Sequence, residues 1–225
     1  MKILALETAV DPGSVALWLE GEIVERFCPE GLSNSATLLP LAAQILADAG
    51  LSFACLDGLA FGQGPGAFTG LRVSCGLAQG LAIAHDLPLL GVGTLEAVAA
   101  STGGERVMTT LDARMGEVYC AAFDRGCRVF AEGVYAPEAL PLPDSTGWLA
   151  CGNALTVYPQ IRERLAGCVV EWRPEIMPCA STAARLAAPR LMRGERLDPA
   201  DAVPLYVRDK VAKTIAERLA EGGHA

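Results

Sequence analysis

The stretch Gly62-Gln63-Gly64-Pro65-Gly66-Ala67-Phe68-Thr69-Gly70, with the uncharged run behind it, constrains this chain most. Glycines on alternate positions and a proline require a backbone that turns tightly or admits something closely. Residues 56–61 before it, Leu-Asp-Gly-Leu-Ala-Phe, read as a buried strand. Thr69 is placed to cap a following helix. Strand, glycine loop and helix can together present N–H groups to an anion. The same residues serve equally as a tight strand-to-helix turn without a ligand, and glycine spacing alone does not choose between the two.

Residues 73–84 hold no charge. A surface helix should carry one apolar stripe and one charged face. Here one face bears Val73, Leu77, Gly80 and Ala84, and another Leu71, Cys75, Ala78 and Ala82. Gly76 and Gly80 lie one turn apart, each at a propensity cost of about 1 kcal/mol relative to Ala. Such glycines suggest another backbone close by. Residues 34–49 form a second helix candidate, with Ser33 or Asn34 as cap and Pro40 as a kink or second start. Its apolar residues are Leu38, Leu39, Leu41, Ala42, Ile45, Leu46 and Ala49, and Asp48 is its only charge. Two helices with almost no solvated face, in a chain this small, predict a stable protein partner. The predicted interface is Leu38, Leu41, Ala42, Ile45, Val73, Gly76, Leu77, Gly80 and Ala84.

At 225 residues the chain fits one large domain or two small ones. A net charge of −8 argues against a broad phosphate-binding face. Any contact with RNA is then expected through a partner. Eight cysteines show no C-x-x-C pair, so zinc and thioredoxin chemistry gain little support. Reduced cysteines, no secretion signal and no run of about 20 apolar residues predict a cytoplasmic protein without a membrane span.

The chain opens with strands over residues 2–8, 14–19 and 23–27, joined by short turns. A strand over 87–92 and a helix capped by Thr94 follow. Ser101-Thr102-Gly103-Gly104 is the best boundary, dividing an N-terminal lobe, 1–104, from a C-terminal lobe, 105–225. Beyond it the pattern restarts, with strands over 107–112, 117–123 and 127–132. Glu7 and Asp112 end equivalent strands, so the two halves read as a degenerate structural repeat. A strand over 148–154 enters a turn, a helix spans 180–192, and 199–208 is irregular around Pro204-Leu205-Tyr206. A last amphipathic helix, 213–221, is placed to pack back on the first lobe.

No metal site is expected: the only histidines are His85 and His224, and His85 suits a helix C-terminus. No nucleophile elbow has a supporting histidine. Glu7 and Asp112 could hold a cation or activate water across a cleft. Accepting backbone N–H bonds in their turns is the favoured role. Arg114 beside Asp112 reads as a local ion pair.

Several segments resemble one family. They are Ile3-Leu4-Ala5-Leu6-Glu7-Thr8-Ala9, the block from Gly62 to Arg72, Gly80-Leu81-Ala82, and Leu111-Asp112-Ala113-Arg114-Met115-Gly116-Glu117-Val118-Tyr119. Together they are similar to the TsaB (YeaZ) family, closely in the first half and more loosely at Pro204-Leu205-Tyr206-Val207-Arg208. The resemblance implies an α/β, two-lobed actin/Hsp70/sugar-kinase-like (ASKHA) fold with a reduced second lobe. It implies a non-catalytic subunit of the complex that adds threonylcarbamoyl to adenosine 37 of tRNAs reading ANN codons. Its implied partners are a TsaD-type catalytic subunit, bound through the two helices, and a TsaE-type ATPase. Homodimerisation through the same helices is left open. No cofactor is implied, and Gly64, Gly66, Thr69, Glu7 and Asp112 become a vestigial phosphate loop. Glu7 stands where relatives often have Asp, and Asn34 or its neighbours where many have His. Both departures weaken any inherited phosphate or metal role. The rival reading is a stand-alone ATP-dependent transferase or kinase-like enzyme of the same fold.

Overall fold

In β1 (Lys2–Glu7), Ile3 and Ala5 point to one side of the sheet and Leu4 and Leu6 to the other. All four are fully buried, so this strand is covered on both faces. The computed structural model, which describes residues 1–208, shows how. β1 pairs antiparallel with β2 (Ser14–Leu19), which pairs with β3 (Glu22–Phe27). On its other side β1 runs parallel to β4 (Gly58–Gly64), and β4 to β5 (Leu89–Gly93). The order is β3-β2-β1-β4-β5.

The second sheet repeats the plan. It contains β6 (Arg106–Arg114), β7 (Glu117–Asp124), β8 (Cys127–Tyr135), β9 (Trp148–Cys151) and β10 (Val169–Arg173), in the order β10-β9-β6-β7-β8. Each sheet is a three-strand antiparallel meander followed by two parallel strands. The expected repeat is present, and the fold is the two-lobed actin/Hsp70/sugar-kinase-like α/β class. The second lobe keeps its full sheet. What is short there is the helical cover, α4 (Ala154–Val157) and α5 (Gln160–Leu165).

One side of the first sheet is lined by large side chains, and the other mixes alanines with Ile3, Leu90 and Val92. Leu4, Leu6, Leu17, Leu59 and Phe61 pack against α1 (Asn34–Asp48) and α2 (Phe68–His85). Ala5, Ala16 and Ala60 lie beneath α6 (Ala180–Met192), which contributes Ala180, Ala183, Ala184, Ala187 and Ala188. Alanines on both surfaces let helix and sheet approach closely. The division at residue 104 is therefore not a division of the core, because α6 comes from the second half of the chain and completes the first lobe. Conversely, α3 (Thr94–Thr102) packs Leu95, Val98 and Ala99 against Val107, Leu111 and Phe123 of the second sheet.

Some local expectations change. The glycine stretch begins inside β4, whose pairing with β5 shifts register between Gly62 and Gly64. Thr69 is an exposed residue of α2, not its cap; Ala67 stands at the cap position without a side-chain bond. Thr94 likewise lies inside α3, buried, with Gly93 at the cap. The helix expected over 213–221 lies outside the described residues. No helix among the described residues is long and apolar enough to cross a membrane.

Candidate functional site

Each glycine of the loop meets part of this chain. A Cβ on Gly62 would overlap the Glu7 carboxylate, and one on Gly70 would overlap the Thr8 carbonyl. One on Gly66 would meet Ala9. Gly64 has φ +117°, a backbone region that L side chains rarely adopt, and the Leu205 carbonyl sits 2.8 Å from where its Cβ would be. Hydrogen bonds lock the same surfaces: Thr8 Oγ1 donates to Gly70 O at 2.7 Å, and Ala67 N–H to Ala9 O at 2.8 Å. The close approach that the glycines permit is thus made by the β1–β2 loop and by the segment near residue 205.

Glu7 ends β1 and Asp112 lies two residues before the end of the equivalent strand β6, yet only Asp112 lines the cleft between the lobes. Glu7 is buried behind Gly62. Its Oε1 accepts from Ala9 N–H at 2.8 Å, while Oε2 has no partner among the described residues. Burial pushes its carboxyl up to about 7, opposed by the backbone N–H bonds of Ala9 and Thr8 and assisted by the nearby Glu25. Asp112 Oδ1 accepts from Arg114 N–H at 2.8 Å and from the Tyr158 hydroxyl at 2.8 Å. Its Oδ2 faces Arg114 at 3.3 Å, and its own N–H donates to Asn153 Oδ1 at 2.9 Å. Both acids therefore accept turn N–H bonds. Among the described residues no three of His, Cys, Asp and Glu cluster as metal ligands.

The cleft has a volume of about 320 Å³. Its floor is Ala9 to Asp11 and Gly66 to Phe68, and its far wall is Asp112, Arg114, Tyr119 and Asn153. Residues 205–208 form the remaining side. Sequence reading misses Tyr158, Asn153 and Arg208 as neighbours of the Asp112 turn, because all three arrive from distant strands or loops.

The two charge-poor helices α1 and α2 divide into core and surface. Leu38, Ala42 and Ile45, expected at a partner interface, are in the core under α1 and cannot meet another protein. That expectation is corrected: α1 is apolar nearly all round, so its period does not tell inside from outside. Leu41, Val73 and Leu77 are half-buried and pack on the core's edge. Gly76, Gly80 and Ala84 are exposed, and beyond the local backbone of α2 no described atom lies within 4 Å of a Cβ built on either glycine. The exposed Ile83, at 66% accessibility, and Leu39, at 44%, lie outside the interface predicted from the sequence. Ile83 lies seven residues after Gly76 and three after Gly80, a spacing that signals the same helix face.

Comparison with known proteins agrees with this architecture. A family model described as TsaD, tRNA N6-adenosine threonylcarbamoyltransferase, matches residues 28–142. A protein of Escherichia coli named tRNA threonylcarbamoyladenosine biosynthesis protein TsaB is 34% identical over 94% of this chain and 96% of its own length. The protein of that name from Haemophilus influenzae is 31% identical over 94% and 95%. The solved structure of YeaZ from Pseudomonas aeruginosa has a TM-score of 0.81 at 33% identity, covering 91% of this chain and 99% of that one. A second structure from that organism, described as similar to peptidase YEAZ, has a TM-score of 0.82. With identity above 30% along nearly the whole length of both chains, this chain belongs to the TsaB family.

Proposed function

We propose that this chain is a non-catalytic subunit in the synthesis of threonylcarbamoyladenosine on tRNA, working in the cytoplasm beside a TsaD-type catalytic subunit. Its relatives carry that pathway in their names. The observation that carries the subunit reading is the bare surface of α2 at Gly76, Gly80, Ile83 and Ala84. Two glycines within the uncharged stretch 73–84 of an 18-residue helix are unfavourable unless another backbone comes close. Val73, Leu77 and Leu41 flank this strip and extend it toward α1. A helix of the catalytic subunit, or a second copy of this chain when that subunit is absent, fits there. A TsaE-type ATPase joins the pair, and tRNA is contacted through the partners rather than by this acidic chain.

The match to a transferase family model favours a second reading, an enzyme acting alone. The site geometry weighs against it. Glu7 is shut behind Gly62, Asp112 is committed to its turn, and the chain's own residues 205–208 occupy one side of the cleft. Reconstitution decides between them. Modification of tRNA by the catalytic subunit should require this chain, and this chain alone should modify none. Activity of the isolated chain would overturn the proposal.

A further inference from the structure

Residues 203–208 cross from one lobe to the other. Against the first lobe, Leu205 N–H donates to Gln63 O at 2.7 Å, and the Gln63 amide donates to Val203 O at 3.0 Å. The Tyr206 ring packs on Phe68 with centroids 5.4 Å apart. Arg72 lies 3.8 Å over the Phe68 ring and donates to the Tyr206 hydroxyl at 2.9 Å. Two residues later the segment grips the second lobe. Arg208 donates to Ala113 O at 2.9 Å and pairs with Glu117, on either side of the β6–β7 turn. That turn holds Arg114, Met115 and Gly116 in succession at positive φ.

We propose that residues 203–208 are an internal strap, which holds the two lobes together across the cleft and whose release is the low-energy way for the cleft to open. The strap has the composition of a reversible clasp. It adds no strand to either sheet, and its grip is a few hydrogen bonds, one aromatic contact and one ion pair, much of it half-exposed. Segments with few buried apolar contacts open well below the free energy of global unfolding. The strap also touches Arg72 on α2, so the helix with the bare glycine strip and the second lobe are joined through it. This inference stands apart from the partner reading, because every contact is within the chain.

The test uses the full chain. Cys55 on the first lobe and Cys127 on the second are both exposed and can carry spin labels, with the half-buried Cys179 replaced by Ser. The parent should give one narrow distance distribution. Tyr206→Ala/Arg208→Ala should add a second, longer population at an unchanged melting temperature. In the parent, the Leu205 amide should exchange with deuterium at least tenfold faster than the Leu4 amide of β1. An unchanged distance distribution in the double variant would overturn the proposal, as would equal exchange at Leu205 and Leu4. If the double variant does not fold, Arg72→Ala, which removes the hydrogen bond to Tyr206 and the stacking on Phe68 but leaves the strap's own residues intact, should raise Leu205 exchange at least threefold while Leu4 stays as in the parent. No change there also overturns it.

Discussion

Glu7 and Gly62 sit face to face on neighbouring strands, the carboxylate filling the space that any side chain on Gly62 would need. Gly62→Ala should therefore destabilise the protein by about 1–3 kcal/mol, the usual effect of overpacking a tight core. In a Glu7→Ala background the same substitution should cost much less, because the overlapping group is gone. Urea denaturation of the four proteins gives the coupling. Additive losses would mean that Gly62 is required for its backbone alone.

Glu7 also sets a pH dependence. Its carboxyl is raised from 4.5 to about 7 by burial, so the folded state favours the neutral form. Below pH 4.5 it is neutral folded and unfolded, and the stability from burying it is fully present. Above that the unfolded chain ionises first, so stability declines until about pH 7 and then levels off. The total is about 3 kcal/mol, from 1.36 kcal/mol for each unit of pKa difference. Glu7→Gln should remove that decline. Melting curves at pH 5 and 8 check it: the difference between variant and parent should grow in favour of the variant at pH 8.

Gly80→Leu separates a partner surface from a core position. Because the site is open among the described residues, the isolated monomer should melt at the same or a higher temperature, with up to about 1 kcal/mol from better helix propensity. Assembly with the catalytic subunit should weaken five- to 150-fold, from about 1–3 kcal/mol of overpacking where two helices meet. A destabilised monomer with normal affinity would place the glycine against its own fold.

Mg²⁺-ATP should give no measurable heat with the isolated chain. The loop glycines are filled by Glu7, Thr8, Ala9 and Leu205, and the Ala67 N–H is already bonded to Ala9. Titration calorimetry yielding a low-micromolar dissociation constant would make the cleft a working nucleotide site.

The strand plan was legible because short turns and period-two apolar runs are local signals. β10 was not, since Glu171 and Arg173 interrupt its apolar residues and its register shifts between Val169 and Glu171. The glycines announced that something approaches closely, but not that Glu7, Thr8 and Ala9 do so. That identity depends on how β1 and β4 align. The inward side of α1 was equally hidden, because Leu38 and Leu39 look alike in sequence and only the sheet beneath distinguishes them. The Asp112 turn is legible as a set of local hydrogen bonds, while its contact to Tyr158 spans 46 residues.

The placement of α6 has a consequence for synthesis on the ribosome. The first sheet leaves the exit tunnel with one side largely uncovered, because Ile3, Ala5, Ala16, Ala60 and Leu90 have only Ala97 of α3 beside them until a helix that ends at Met192 arrives. Until then the nascent N-terminal half presents an apolar sheet surface to chaperones or to its neighbours. It cannot mature as an independent unit, and a fragment ending at residue 104 should be recovered as aggregate rather than as a folded lobe.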